Sequence, residues 1–174
     1  GRLGDANRIN VPLEQVPLDV QHAVLAAEDR DFYEHGGFSP TGIGRAIWNN
    51  VSGGDLQGGS TITQQYAKNA FLTQERSFTR KAQELLLAVK LETSVSKDQI
   101  LSDYLNTIYF GSGAHGVEAA SRELFGVPTA ELTLSQAAML AGVVQSPSKW
   151  NPRRNLDATV GRRNLVLRRM QEEG

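Results

Sequence analysis

The chain has 174 residues, 40% of them hydrophobic and 21% charged, with a formal net charge of −1 at neutral pH. That balance allows one domain with a sizeable core, excludes a disordered composition and argues against a nucleic-acid partner. Cysteine is absent, so disulfides and thiol catalysis are excluded while the compartment stays open.

Residues 1–16 are mixed in character, with at most a short strand near Ile9 to Val11. Pro17 and Asp19 suit a helix start, and the apolar pattern beyond them predicts a helix running to about Tyr33. From Gly36 to Gly59 the chain is rich in glycine. Inside that stretch Ile43, Ile47 and Val51, with Trp48 beside them, predict a short amphipathic helix in a mobile segment. "STITQQYAKNAFL" reads as a helix with Ser60 as N-cap, and "SFTRKAQELLLAVKLE" as a longer one. In "SVSKDQILSDYLNTIYF", Ser96 and Gln99 have capping-box spacing, and Ile100, Tyr104, Leu105 and Ile108 form one apolar stripe. A glycine loop, "GSGAHG", leads into the helix "VEAASRELFG", and Thr133 with Gln136 makes a second capping box ahead of "AAMLAGVV". "SPSKWNPRRN" reads as a loop before a closing helix. The arginines of that helix (Arg162, Arg163, Arg168 and Arg169) are read as a solvated face or a contact with an adjoining domain. Strand signals are nearly absent and no repeat is visible, so the expected fold class is mainly α, in a single domain over residues 1–174.

Two places in this pattern carry chemistry. At ~100° per residue Val24, Glu28 and Phe32 stack on one face of the first helix, with Leu18, Val20, Ala23, Leu25 and Ala27 around most of the rest. A helix apolar on nearly all sides is buried, so Glu28 becomes a carboxylate among apolar neighbours. It either pairs with a cation across the core, as a structural ion pair would, or holds its proton more tightly. Both outcomes suit acid–base chemistry. His35 reads as a packing or hydrogen-bonding residue, because no second histidine stands at ligand spacing.

The second place is downstream. Glycines before Ser60 leave a helix start whose free N–H groups and dipole favour an anion. Thr61, Gln64, Gln65 and Lys68 share one side of that helix, opposite Ile62, Tyr66 and Ala70, either as plain solvent surface or as a site wall. Arg76, Arg80 and Glu84 follow at i, i+4, i+8, with Lys81 three residues before Glu84. They are either surface ion pairs of ~0.2–0.5 kcal/mol each or a cradle for a diphosphate, with Glu84 holding the cations or helping a metal. The GxxxxGK[ST] string of a Walker-type loop is absent.

Read together, these segments resemble the peptidoglycan glycosyltransferase (transglycosylase) domain of class A penicillin-binding proteins and monofunctional transglycosylases, glycosyltransferase family 51. "EDRDFYEHGG", "GGSTITQQYAKN", "RKAQELLLAVKLE", "KDQILSDYLNTIYFGSGAHGVEAAS" and "LSQAAMLAGVVQSPSKWNP" look like that family's five motifs, in its order. Tyr66 stands where leucine is more usual, and Trp150 where tyrosine is common before Asn-Pro. The resemblance implies a lysozyme-like helical globular lobe with a smaller membrane-facing jaw, here approximately residues 37–58. It implies polymerisation of lipid II with inversion, Glu28 being the general base on the acceptor 4-hydroxyl and Glu84 assisting departure of the diphosphate. That assistance is direct or through a divalent cation, Mg²⁺ or Mn²⁺, bound with the diphosphate. By the same resemblance Lys68, Arg76, Arg80 and Lys81 bind diphosphate, and Ser60, Gln64 and Asn69 line the cleft.

The implied partners are lipid II, the growing lipid-linked glycan strand and the outer leaflet, reached through Phe38, Ile43, Ile47, Trp48 and Val51 of the jaw. The implied location is the extracytoplasmic face of the plasma membrane. No apolar run here approaches the ~18 residues of a spanning helix, and the chain opens on Gly1-Arg2. The expectation is therefore a fragment of a longer protein, anchored by an N-terminal transmembrane helix absent from this chain, whose parent could also carry a transpeptidase domain. A lysozyme-like muramidase or lytic transglycosylase is the alternative enzyme, and a non-catalytic module that binds lipid II is the alternative from another class.

Overall fold

The computed structural model describes residues 9–40, 59–72 and 78–174. Among them lie seven α-helices: α1 (Leu18–Glu28), α2 (Ile62–Phe71), α3 (Phe78–Ser94), α4 (Lys97–Thr107), α5 (Val117–Phe125), α6 (Leu134–Val144) and α7 (Leu156–Glu173). A short antiparallel ribbon, β1 (Tyr109–Gly111) and β2 (Ala114–His115), sits between α4 and α5. The mainly α expectation holds. The helix expected around Ile43 to Val51, most of the expected jaw, and Arg76 fall outside the described residues.

The chain divides into two compact units, one of Gly1–Ala27 with Leu105–Gly174 and the other of Glu28–Tyr104. In the second unit α2 packs on α3. Ile100 and Tyr104 of α4 are buried, as their stripe required, and Leu101 beside them is buried too. Ser96 caps α4, its Oγ accepting from the Gln99 N–H at 3.2 Å, while the Gln99 side chain turns instead to Asp103.

In the first unit α6 packs along α7 and touches α5 and β1. Its buried residues include Val20 and Val24 of α1, Leu140 and Val143 of α6, and Val166 of α7. The Thr133–Gln136 capping box closes in both directions. Two expectations need correction here. Arg162 and Arg169 are buried rather than solvated, and Arg169 Nη1 donates to the carbonyl of Ala27 at 3.2 Å. A guanidinium at the C-terminal carbonyls of α1 satisfies acceptors the helix leaves open and suits its dipole. That partner lies 142 residues away in sequence, out of reach of any pattern within α7.

The strand expected near Ile9 to Val11 does not form either. The backbone of Val11 pairs with a side chain instead: its N–H donates to Asn106 Oδ1 at 2.8 Å, and Asn106 Nδ2 donates to its carbonyl at 2.9 Å. An amide offers the same donor and acceptor as one residue of a neighbouring strand. Gly116 keeps this corner compact. It has φ +86°, and a Cβ there would stand 2.8 Å from the Asn106 carbonyl oxygen.

Replacing Asn106 with alanine removes both bonds to Val11. Urea unfolding followed by circular dichroism is expected to show a loss of about 1–3 kcal/mol.

Candidate active site

The expected first helix stops early. α1 ends at Glu28, not near Tyr33, because the next residue is committed elsewhere. Asp29 is buried, and its carboxylate accepts from His35 Nε2 at 2.8 and 2.9 Å and from the Ile62 N–H at 3.0 Å. Beyond it the chain closes in tight turns, Phe32 N–H donating to the Asp29 carbonyl and the N–H groups of Glu34 and His35 to that of Asp31. Phe32 is fully buried but belongs to those turns, so it is not the next rung above Glu28. Glu28 itself is the half-buried final residue of the helix.

The start of α2 is built against the same turns. Ile62 opens α2, so the anion expected at this helix start is the chain's own Asp29. Thr61, not Ser60, is the N-cap, accepting from the Gln64 N–H at 3.2 Å. Gly37 joins both segments. Its N–H donates to His35 Nδ1 at 3.2 Å, and its carbonyl accepts from Thr61 Oγ1 at 3.2 Å and Gln64 Nε2 at 2.9 Å. Gly37 has φ +79°, and a Cβ there would meet the Ala88 backbone of α3 at 2.9 Å. Lys97 adds a further brace: Nζ donates to the His35 carbonyl, pairs with Glu92 at 2.7 Å and lies 4.4 Å from the centre of the Phe32 ring.

On this frame the two carboxylates singled out in the sequence are connected. Gln65 Nε2 donates to Glu28 Oε2 at 2.9 Å and lies 3.5 Å from the Ser60 carbonyl. Ser60 Oγ accepts from Lys81 Nζ at 2.7 Å. Lys81 Nζ also donates to Glu84 Oε2 at 2.9 Å, and Arg80 Nε donates to Glu84 Oε1 at 3.1 Å. Glu84 is 3% exposed, so its charge rests on these two cationic donors. Ser60, Arg80, Lys81 and Glu84 thus form one cluster. Gln64 is buried on Gly37, Lys68 is half-buried, Asn69 is exposed, and Arg76 lies outside the described residues.

Two neighbours of Glu28 are missed as site residues by sequence reasoning. Gln65 stands on the polar side of α2 with no task that the sequence assigns. Tyr104 reads as core, which it is, yet its hydroxyl donates to Gln65 Oε1 at 3.1 Å. Burial, with the charges of Glu28 and Asp29 added, pushes the Tyr104 phenol well above its ordinary pKa. The available signal is the consecutive pair Gln64-Gln65: residues ~100° apart on a helix cannot share a partner.

A protein-held metal does not fit this cluster. Both Glu84 oxygens are taken by cations, and among the described residues no three of His, Cys, Asp or Glu group as ligands.

A carboxylate is thus tied through an amide and a serine to a cation-bracketed second carboxylate, on helices of a lysozyme-like fold. The family model described as Transglycosylase matches residues 1–171, and the chain belongs to that family. It is 49% identical to penicillin-binding protein 1A of Aquifex aeolicus, over 100% of this chain and 24% of that protein. It is 48% identical to penicillin-binding protein 1A of Mycobacterium tuberculosis, over 97% of this chain and 21% of that one. With the crystal structure of penicillin-binding protein 1A from Haemophilus influenzae it shares a TM-score of 0.52 and 26% identity, over 99% of this chain and 16% of that chain. The chain thus spans a quarter or less of the length of these relatives.

Gly37→Ala forces a side chain into both a left-handed backbone and the body of α3. It is expected to lower stability in urea unfolding by more than about 1 kcal/mol, against no comparable change for Gly36→Ala, whose Cβ would meet nothing within 4 Å.

Proposed function

We propose that the domain polymerises lipid II, transferring a glycan carried on a polyprenyl diphosphate to the 4-hydroxyl of the next disaccharide with inversion. The observation that carries this reading is the run of hydrogen bonds from Glu28 through Gln65, Ser60 and Lys81 to Glu84. It puts a proton acceptor at one end and fixed cations at the other. A sugar hydroxyl is a weak nucleophile, so Glu28 takes its proton as the new bond to the anomeric carbon forms. The bond from that carbon to the diphosphate oxygen breaks on the opposite side, and charge gathers on the departing group. Arg80 and Lys81, held in place by Glu84, stabilise that charge without reorganising, and Lys68 and Arg76 add to it. A glycoside-cleaving enzyme needs an acid beside a glycosidic oxygen and has no use for such cations. Ser60 and Asn69 face the same substrate, and Gln64 supports them through Gly37.

The divalent cation, Mg²⁺ or Mn²⁺, belongs to the substrate in this scheme. It travels with the diphosphate oxygens, and no step depends on protein ligands for it. The parent is placed at the extracytoplasmic face of the plasma membrane, with the jaw toward the outer leaflet where lipid-linked substrate resides. Among the described residues no helix is long and apolar enough to cross a membrane. The relatives' names and lengths support a parent with a transpeptidase domain as well.

Glu28→Gln is expected to leave lipid II binding near the wild-type level while polymer on a sizing gel falls by at least ~10²-fold. Equal polymer from both proteins would remove Glu28 from the reaction. Lys81→Met is expected to cost on the order of 10²-fold in polymerisation, and undiminished release of soluble fragments from preformed peptidoglycan by this variant would favour a lytic enzyme. Addition of EDTA is expected to leave the unfolding temperature unchanged. A stabilisation of the substrate-free domain by Mg²⁺ alone would point to a protein-held metal instead.

A further inference from the structure

A glutamine side chain has two ends of nearly equal shape and opposite character, an NH₂ that donates and a carbonyl that accepts. The surroundings of Gln65 tell the two apart. Nε2 faces Glu28 Oε2 at 2.9 Å and the Ser60 carbonyl at 3.5 Å, and neither of these can donate when the carboxylate is charged. Oε1 faces the Tyr104 hydroxyl at 3.1 Å. Tyr104 is 1% exposed, so no bulk water can take the place of Gln65 on its hydroxyl.

We propose that Gln65 is a positioning residue for Glu28, and that Tyr104 holds the Gln65 amide in the one orientation that offers Glu28 a donor. The inference rests on Glu28 being the base of the proposed reaction. A donor on a carboxylate favours its charged form, which is the form that can accept a proton from the sugar hydroxyl. With the amide turned over, Oε1 would oppose both the carboxylate and the Ser60 carbonyl, and two half-buried acceptors would lose the donor that Gln65 supplies. Among the described residues, the titratable groups near this pair include Asp29 with its partner His35, beyond the end of α1, and Tyr104 of α4. Asp29 is satisfied by His35 and by the start of α2. Tyr104 keeps its proton because burial and the charges of Glu28 and Asp29 oppose its ionisation, so it remains an O–H donor throughout the working range. Gln65 lies on α2 between them and carries no charge, so its effect on Glu28 comes from its orientation.

The test compares Tyr104→Phe, which loses only the hydroxyl, and Gln65→Leu with the wild-type chain. One readout is the pH dependence of lipid II polymerisation. The other is the titration of the Glu28 carboxyl carbon by ¹³C NMR, which needs no turnover. Both variants are expected to move the acid limb of kcat upward by up to about one pH unit, Gln65→Leu further than Tyr104→Phe, with KM for the lipid-linked donor within about twofold. The NMR titration is expected to move in the same direction by a similar amount. Folded variants, judged by circular dichroism, whose Glu28 titration coincides with wild type would overturn the proposal. Should Glu28→Gln retain full polymerisation, the general-base reading fails by itself, and the NMR titration still decides whether Gln65 and Tyr104 set the state of Glu28.

Discussion

The second unit is organised by one buried negative charge. Asp29 sits where a helix would otherwise continue, and its carboxylate is satisfied by the His35 ring and the first N–H of α2. A carboxylate removed from water costs several kcal/mol unless such donors replace the lost hydration. Meeting that demand ends α1 at Glu28 and brings the turns of residues 29–37 to the start of α2 at Ile62. His35 is held from both sides, donating through Nε2 and accepting the Gly37 N–H at Nδ1, which fixes one neutral tautomer. Gly37 then brings its carbonyl to Thr61 and Gln64 and its α-carbon against α3. The position of Glu28 thus follows from the demands of the residue next to it.

From that frame, α2 distributes consecutive residues to different tasks. Ser60 reaches Lys81, Thr61 and Gln64 hold Gly37, Thr63 donates to Glu92, and Gln65 turns to Glu28 and Tyr104. The rotation of about 100° per residue makes this division possible. Neighbouring polar side chains leave this stretch in different directions, and all five end on groups that belong to other parts of the unit. A stripe of threonine and glutamine that could pass for solvent surface is largely buried. Ala70, assigned to the apolar side by periodicity, is exposed.

What was legible in the sequence was local. The Thr133–Gln136 box, the Ser96 cap and the apolar stripe of α4 depend on residues a turn apart, and each formed as its spacing required. What was illegible depended on distant partners. Apolar periodicity ran on through Phe32, and nothing within that stretch signalled that Asp29 would bind a helix start 33 residues away. Ser60 is the better cap by propensity, yet its hydroxyl accepts from Lys81 and the cap falls to Thr61. Arg162 and Arg169 looked like solvated charge because their helix is polar, while their burial is set by residues far along the chain. Glu28 and Glu84 were singled out in the sequence by their charge, and the neutral Gln65 between them was not. Charge stands out in a sequence, whereas the value of an amide lies in which way it points.

The contrast between the two glutamates shows why that orientation matters. Both are wholly or partly withdrawn from water and both accept hydrogen bonds, yet their donors differ in kind. Glu84 accepts from a guanidinium and an ammonium, so its charge is spent on fixing two cations whose positions would otherwise fluctuate on long side chains. Arg80 and Lys81 are thereby ordered on Glu84, which is what the proposed stabilisation of a departing anion requires of them. Glu28 accepts from an uncharged amide whose other end is tied to a phenol that resists ionisation. A neutral donor orients a carboxylate without adding a compensating charge. The same side chain thus meets charged donors in one place and, in Gln65, a neutral one in the other, and the proposed division into scaffold and proton acceptor rests on that contrast.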